Sequence, residues 1–353
     1  MKIRSLQIEN LRNLASVSLE PHPELNFIGG ENGAGKTSIL ESLFVLSRGR
    51  SFRTSTTGDL IGPTAAFFRV VAESVSDEGR RDRLGLERSG KRWRARKNST
   101  DLEKISQLTR SLPLVLMEPN SHQLVSGPPE FRRKYLDWGV FHVEHGFIEI
   151  WARYSRALKQ RNSALRQGQR NVLDSLDVLL ARLGTRLDEL RERHSKAVSA
   201  EMACLLEKLS PNLGGIGLEY RNGWGDAPYI EVLSANRDRD LERGATQTGP
   251  HRMDLVIMKE DATARSILSR GEQKLLSAAL ILAQANLLSE LGEKPIVLLD
   301  DLASEFDQIH FDTVLNAAMV CGRQVWVTGT NTPFLPKEKE MFHVKHGNVQ
   351  KMV

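Results

Sequence analysis

One short stretch near the start of the chain constrains the fold more than any other feature. Residues 27–43 read FIGGENGAGKTSILESL, an apolar strand end that runs through a glycine-rich loop into an apolar helix. Gly30–Thr37 fits the pattern G-x-x-x-x-G-K-[ST] without a mismatch. Glycines let backbone N–H groups turn inward around phosphates, and the helix that follows points its positive end at the same anion. The sequence therefore predicts an α/β protein that binds a nucleotide.

Each position of this loop has an expected role. The predicted nucleotide-binding residues are Gly30, Glu31, Asn32, Gly33, Ala34, Gly35, Lys36 and Thr37. Lys36 has the length to reach the β- and γ-phosphates, and Thr37 offers its hydroxyl to Mg²⁺. A glycine-rich turn that merely begins a helix is the alternative. The strand before the loop and the amphipathic helix after it favour nucleotide binding.

Two acids follow an apolar strand late in the chain. Ile296–Leu299 are apolar, and Asp300 and Asp301 come next. Because a nucleotide loop of this kind needs a carboxylate for its metal at the end of a neighbouring strand, we expect Asp300 to bind Mg²⁺ together with Thr37. Asp301 is predicted to be the general base that orients the attacking water. A buried strand that merely ends in turn acids is the alternative.

A third segment, LSRGEQKLLSAALILAQ at residues 268–284, begins a predicted long helix. A serine hydroxyl and glycine N–H groups at a helix start form a second anion site, which here consists of Ser269 and Gly271. A plain helix cap is the alternative role for Ser269. Two phosphate-binding helix starts in one chain favour a nucleotide shared between two subunits. The predicted catalytic residues are thus Lys36, Asp301 and Ser269.

Together the three segments resemble the Walker A, signature and Walker B motifs of ABC-type ATPases. The segments IENLRNL, GRSFR, GPPEFRRKYLDWG, LKQRNSALR and TGPHRMDL, with the Asp300–Asp301 pair, are similar to its SMC-like branch, and to the bacterial recombination-mediator family within that branch. The resemblance implies an ATPase head with a mixed sheet core, an antiparallel β subdomain and an inserted helical arm. It also implies ATP and Mg²⁺ as cofactors, with slow ATP hydrolysis used as a clamp switch.

The same resemblance implies partners. It predicts an ATP-dependent homodimer that binds single-stranded and gapped DNA and works with other recombination mediator proteins in repair, replication restart and SOS induction. By analogy, Arg12 and Asn13 are expected near the adenine or ribose. The chain departs from the usual pattern in having Asp301 where most ABC ATPases have Glu, and Arg270 in place of a signature glycine. No histidine occupies the usual position after the strand VWVT, and Thr328 and Thr330 stand nearby.

The expected division of the chain into domains follows a change in composition along the sequence. We predict a head formed by residues 1–128 and 212–353, with an antiparallel β subdomain at about 65–110, and a helical arm at 129–211. The arm is nearly free of proline and rich in leucine at helical spacing. Asn10 and Asn13 are the expected turn residues of the first hairpin, and YIEVLSANR at 229–237 is predicted to be strand-like.

Positive charge is concentrated in two stripes. The net charge is +5, with nine basic and two acidic residues in Arg80–Lys97, and six basic residues and no acid in Arg153–Arg170. Such stripes suit contact with DNA phosphates, and solvated faces are the alternative. Trp93 is expected to anchor a strand.

The rest of the sequence narrows the class of protein. Two distant cysteines, an N-terminus without an apolar signal core and the lack of a bilayer-length apolar run predict a cytoplasmic protein without a membrane partner. An ATPase subunit of an ABC transporter is the main alternative function, and a P-loop kinase acting on a small molecule is another.

Overall fold

The computed structural model describes residues 1–76, 78–330 and 340–352. The chain forms two compact units, one of Met1–Ser121 with Ala278–Val353 and one of His122–Ser277. The assignment of residues 129–211 to an arm domain and of the remainder to a head stays a prediction.

The strands are, in chain order, β1 (Lys2–Leu11), β2 (Leu14–Leu19), β3 (Leu25–Gly30), β4 (Phe67–Val75), β5 (Arg81–Ser89), β6 (Arg92–Lys97), β7 (Thr100–Leu102), β8 (Leu114–Met117), β9 (Ile216–Arg221), β10 (Asp254–Lys259), β11 (Ala262–Thr263), β12 (Ile296–Leu299), β13 (Gln324–Gly329), β14 (Glu340–Lys345) and β15 (Asn348–Met352). The helices are α1 (Lys36–Arg48), α2 (Ser106–Ser111), α3 (Gln123–Ser126), α4 (Pro129–Val143), α5 (Phe147–Arg166), α6 (Leu173–Leu209), α7 (Tyr229–Ala235), α8 (Arg237–Arg243), α9 (Ala264–Ile267), α10 (Arg270–Glu290), α11 (Leu302–Glu305) and α12 (Gln308–Cys321).

The first unit contains a mixed sheet in the order β15-β14-β3-β13-β12-β8. All its neighbouring strands are parallel except the β14–β15 hairpin. Every residue of β3, β12 and β13 is buried, which explains why these strands read as apolar runs rather than as an alternating pattern. Because the central strands are parallel, their carboxyl ends meet at one edge, where open α/β sheets bind ligands.

A second sheet of the same unit is antiparallel, in the order β2-β1-β4-β5-β6-β7. Burial alternates along β4 and β5, because one face of the sheet packs on the core and the other meets solvent. Helix α1 contributes Ile39 and Leu43 to a core shared with Ile8 and Val70 of this sheet and Trp326 of the mixed sheet. The mixed core and the antiparallel sheet predicted from the sequence are confirmed.

The second unit is mostly helical. Helix α6 is 37 residues long, and its inward face packs with α4, α5 and α7 around a core that includes Leu136, Tyr154, Leu187 and Tyr229. The chain turns back between α5 and α6, and β9, β10 and β11 form a small antiparallel sheet. None of the helices in the described part of the chain combines the length and apolar character that a membrane crossing requires.

One local prediction was wrong, and another was right for only one of its two residues. The segment expected as a strand at 229–237 forms α7 and the start of α8, because Tyr229 and Leu233, four residues apart, share one buried helical face. The first hairpin turns at Arg12 and Asn13, while Asn10 remains within β1. Both Asn10 and Arg12 have positive φ, so the chain bends before and within the turn.

Candidate nucleotide site

The glycine-rich loop follows β3 and leads directly into α1. The Lys36 ammonium donates hydrogen bonds to the carbonyl oxygens of Gly30, at 2.7 Å, and Glu31, at 2.9 Å, and so curls the loop around its own side chain. Gly35 has φ of 120°, and a Cβ there would approach Leu14 Cδ2 to 3.0 Å. Only glycine meets both conditions without strain. The loop thus has the open backbone that an anion cradle needs.

Asn13, in the turn between β1 and β2, braces this loop from outside. Its Nδ2 donates to the carbonyl oxygens of Gly33 and Ala34, each at 3.2 Å. Its Oδ1 accepts a hydrogen bond from the Ser38 hydroxyl at 3.2 Å. With its amide engaged on both sides, Asn13 positions the loop, and its expected contact with adenine or ribose stays a prediction.

Oxygen atoms from two strand ends and from the start of α1 converge beside the loop. The Thr37 hydroxyl donates to Asp300 Oδ1 at 2.9 Å, and the Thr328 hydroxyl donates to the same oxygen at 2.7 Å. Asp300 follows β12, and Thr328 lies near the end of β13, the strand between β12 and β3. A carboxylate beside a hydroxyl is an oxygen donor set of the kind that Mg²⁺ prefers. The residues present therefore fit the predicted metal.

Burial sets the charge balance of this edge. It raises the pKa of Asp300, although the hydrogen bonds from Thr328 and Thr37 act in the opposite direction. Burial lowers the pKa of Lys36, opposed by the nearby charges of Asp301 and Asp300. A bound cation favours the ionised carboxylate, and bound phosphates favour the ammonium, so ligands relieve both penalties.

Asp301 takes a left-handed conformation, with φ of 53°. Its N–H donates to Thr328 Oγ1 at 2.8 Å, and its Oδ2 accepts from the Ser304 hydroxyl at 2.7 Å. Asp301 lines the same cavity as Lys36, and the hydrogen bond from Ser304 holds its carboxylate beside the loop. An unusual backbone angle held by specific bonds is typical of functional positions.

These residues surround a cavity of about 540 Å³. Of the predicted positions, those that line it are Arg12, Asn13, Asn32, Gly33, Gly35, Lys36, Thr37, Asp300 and Asp301. Gly30, Glu31 and Ala34 act through their carbonyl oxygens, which hold Lys36 and Asn13. Ser269 and Gly271 belong to the second unit.

Sequence reasoning missed an ion pair at the cavity wall. Arg12 makes two hydrogen bonds to the fully buried Glu41, at 3.0 and 2.8 Å, and a third to the Asp59 carbonyl at 2.9 Å. The Ser51 hydroxyl also donates to Glu41. The Arg12 guanidinium is thus committed to the protein, and the expected contact of Arg12 with adenine or ribose stays a prediction.

Glu118 was also missed. It follows β8, the next strand beyond β12, so it lies at the same sheet edge as Asp300. Burial, with a smaller contribution from the charge of Asp300, raises the pKa of Glu118 to about 7. An acid directly after the buried strand LVLM was the available signal.

The second predicted anion loop is a helix start with reciprocal caps. The Ser269 N–H donates to Glu272 Oε2 at 2.8 Å, and the Glu272 N–H donates to Ser269 Oγ at 3.3 Å. Ser269, Arg270 and Gly271 are exposed. Ser269 is therefore the helix cap that the alternative described, and its exposure leaves a role toward a ligand open as a prediction.

The two basic stripes differ from their expected form. Arg161, in the second stripe, is fully buried, because Asp177 and Asp240 each accept a 2.6 Å hydrogen bond from it inside the second unit. It is unavailable to a phosphate. In the first stripe, Arg94 and Arg96 pair with Asp101, so part of that charge is already neutralised within the sheet.

Trp93 packs edge-to-face on Phe68, with ring centroids 5.8 Å apart, and lies under the Arg88 guanidinium. The expected role of Trp93 as an anchor between strands is consistent with these contacts.

Comparisons with known proteins agree with this architecture. Residues 2–352 match the model of the RecF/RecN/SMC N terminal domain family. A protein of Stenotrophomonas maltophilia (strain R551-3) named DNA replication and repair protein RecF is 40% identical over 360 residues, covering 99% of each chain. A RecF of the same name from Thioalkalivibrio sulfidiphilus (strain HL-EbGR7) is 37% identical over 358 residues, with 99% of each chain covered.

Solved structures extend the similarity. A structure of the recombination mediator protein RecF-ATP in the RecFOR pathway superimposes with a TM-score of 0.90 at 25% identity, covering 100% of this chain and 98% of that one. An Smc head bound to the C-winged helix domain of ScpA shares the fold, with a TM-score of 0.58 at 16% identity, covering 100% of this chain and 97% of that one. The chain belongs to the RecF/RecN/SMC N terminal domain family and, within it, to the RecF proteins.

Proposed function

We propose that this protein is an ATP-binding recombination mediator that acts on DNA in replication and repair. The observation that carries the proposal is the convergence of Thr37, Asp300 and Thr328 beside the glycine-rich loop. Its relatives are named DNA replication and repair proteins, and a similar structure is a RecF-ATP complex. These relatives do not favour the alternative of a transporter subunit.

Each residue of the cavity has a proposed task. Lys36 exchanges the carbonyl oxygens of Gly30 and Glu31 for phosphate oxygens, and the backbone of 30–37 cradles the phosphates. Thr37 and Asp300 would hold Mg²⁺, which neutralises phosphate charge when bound. Thr328 orients Asp300 from the other side and fixes which of its oxygens faces the loop.

Asp301 is the proposed base toward water. Its carboxylate lines the cavity and is braced by Ser304, while its N–H is held by Thr328. A carboxylate one methylene shorter than the usual Glu reaches less far toward the phosphate. Slow hydrolysis of ATP follows from this, which suits a switch rather than a motor.

Pairing of two copies is the proposed consequence of ATP binding. Ser269 and Gly271 stand exposed at the start of α10, a 21-residue helix whose N-terminus favours an anion. The γ-phosphate held by one copy would meet this loop of the other. ATP would thus join two copies around single-stranded or gapped DNA, and hydrolysis would release them.

Sedimentation of the full chain tests this function directly. The protein is run with ATP, with ADP and without nucleotide, each in the presence and absence of gapped DNA. We expect a dimer only with ATP, and DNA that co-sediments best in that state. A single copy that hydrolyses ATP at a rate per molecule independent of its concentration would contradict the proposal and would favour the P-loop kinase.

A further inference from the structure

A polar groove of about 1120 Å³ lies in the first unit, away from the nucleotide cavity. One wall is the start of β1 with the facing ends of β4 and β5, and the other is the turn at residues 21–23. Strand β13 connects the two regions. It begins at Gln324, and Thr328, near its other end, lines the nucleotide cavity. At about 3.3 Å per residue, these two positions are roughly 13 Å apart, so the groove is a separate site.

The groove is held in shape by a buried amide. Gln324 is fully buried, and its Oε1 accepts from the Ile3 N–H at 3.0 Å. Its Nε2 donates to the carbonyl oxygens of Ile3, at 3.0 Å, and His22, at 2.7 Å. Asn26 bonds both backbone groups of His22, at 2.7 and 2.9 Å. Both walls are therefore fixed in place, which lowers the entropic cost of binding.

Three cations stand on the β-sheet wall. Lys2 lies opposite Val75, and Val75 lies opposite Arg81, so Lys2 and Arg81 share one face two strand spacings apart, roughly 10 Å. Arg4 is the extra residue at a bulge in β1, a feature that turns a side chain out of the regular pattern. Arg4 and Arg81 are exposed and Lys2 is half-buried.

The charge of these cations is not neutralised locally. In the part of the chain that the structure describes, Lys2, Arg4 and Arg81 have no carboxylate within ion-pair distance. The lining carboxylates already engaged are Glu73, with Arg83, and Asp82, with Lys97 and Arg80. Glu20 is the other acid on the lining, so the wall keeps a positive excess.

The lining favours a phosphate backbone over an acidic protein segment. Protein partners bind through apolar or aromatic anchors, and none of the large exposed hydrophobic side chains found among the described residues lines the groove. A phosphodiester backbone needs only cations and N–H donors. His22 adds such a donor, because its Nδ1 accepts the Glu24 N–H at 3.2 Å and the ring proton is then on Nε2.

We propose that this groove binds the phosphodiester backbone of DNA through Lys2, Arg4 and Arg81, without reading the bases. The inference rests on the proposed function, in which the protein binds DNA, and it names a surface for that contact. Arg81 belongs to the first basic stripe, whereas Lys2 and Arg4 lie outside both stripes.

The test compares two triple variants that remove equal charge from one sheet. The groove variant is Lys2→Gln, Arg4→Gln, Arg81→Gln. The control is Arg69→Gln, Arg94→Gln, Arg96→Gln, whose arginines already pair with carboxylates. Binding of a fluorescein-labelled gapped duplex is measured by anisotropy with ATP over a series of salt concentrations, and ATP affinity is measured separately to establish that each variant is folded.

Each phosphate contact contributes about 0.9 to the slope of log affinity against log salt for duplex DNA. The groove variant should therefore lose roughly two to three from this slope, while the control variant loses less than about one. Equal losses in both variants, or an unchanged slope in the groove variant, would overturn the inference. Displacement of the labelled DNA by polyglutamate as readily as by unlabelled DNA would also overturn it, and would assign the groove to acidic protein chains.

The outcomes separate this inference from the proposed function. A wild-type protein that does not bind the gapped duplex at all with ATP would defeat both. If the wild-type protein and the groove variant bind the duplex with the same affinity and the same salt slope, only the inference about the groove is contradicted.

Discussion

Thr37 and Asp300 are 263 positions apart in sequence, yet the Thr37 hydroxyl donates a 2.9 Å hydrogen bond to Asp300 Oδ1. The sheet brings them together, because the loop after β3 and the end of β12 are separated only by β13. The bond joins the two residues that would hold the metal. The fold therefore places the two proposed metal ligands in direct contact with each other.

Replacing Lys36 with alanine should weaken ATP binding and abolish ATP-dependent dimers. A hydrogen bond to a charged group contributes about 1.5–3 kcal/mol, or roughly 10- to 150-fold in affinity. Equilibrium binding of a fluorescent ATP analogue and sedimentation with ATP measure the two effects. Lys208→Ala, on the exposed end of α6, is the matched control. A Lys36→Ala protein that still dimerises with ATP would remove the loop from the proposed site.

Ser269→Arg should leave ATP binding by single copies intact and block their pairing and ATP hydrolysis. A bulky cation would fill the exposed start of α10, and loss of the cap itself costs only about 1 kcal/mol of stability. Ser175→Arg, an exposed serine near the start of α6, serves as control. Normal dimers of the Ser269→Arg protein would show that the nucleotide is not shared.

Thr328→Val should loosen the metal edge at nearly constant volume. The change leaves the Asp301 N–H without its buried acceptor and removes one donor from Asp300, which costs about 1–3 kcal/mol of stability. The Mg²⁺ concentration needed for ATP binding should rise. Thr313→Val, in α12, is the comparison. Equal unfolding free energies for wild type and Thr328→Val would argue against the bridging role.

Arg161→Met should destabilise the helical unit by about 3–5 kcal/mol, because it leaves the buried Asp240 without its cation and leaves Asp177 with Arg237 alone. Urea unfolding followed by circular dichroism measures this. Converting both acids to asparagine in the Met background should restore part of the loss. The exposed Arg156→Met is the control, and a comparable loss there would contradict the special role of the buried network.

Glu118 should make stability depend on pH in the metal- and nucleotide-free protein. Its folded-state pKa is raised from 4.5 to about 7, so the folded state binds more protons than the unfolded state between these values. The unfolding free energy should therefore fall as pH rises across that window. Glu118→Gln should flatten the fall and Glu293→Gln, on an exposed turn, should not. An unchanged pH profile in Glu118→Gln would exclude this acid as the source.

The sequence indicated those site residues that lie in one continuous motif or whose position follows from the order of the strands. The loop at 30–37 is one unbroken motif, and Asp300 could be placed because a metal acid belongs at the end of a neighbouring strand. The role of Thr328 was not predicted, and the sequence indicated only that a threonine stands near the position where related ATPases have a histidine. Its hydrogen bond to Asp300 depends on β13 lying between β12 and β3, which the sequence did not reveal.

Other features depend on contacts that no local pattern reveals. Arg161 was read as a surface cation because its partner Asp240 is 79 positions away. Tyr229–Ala235 was read as a strand because alternation over so few residues does not separate a strand from a helix with one buried face.

The fully buried strand β13 has Gln324 at one end and Thr328 near the other. A distortion of this strand would reach both the nucleotide cavity and the groove proposed to bind DNA. A genetic screen for alleles that lose DNA binding and keep ATP binding, or the reverse, should therefore recover few changes in β13. Alleles that separate the two activities should instead map to solvent-facing side chains that line either the nucleotide cavity or the groove.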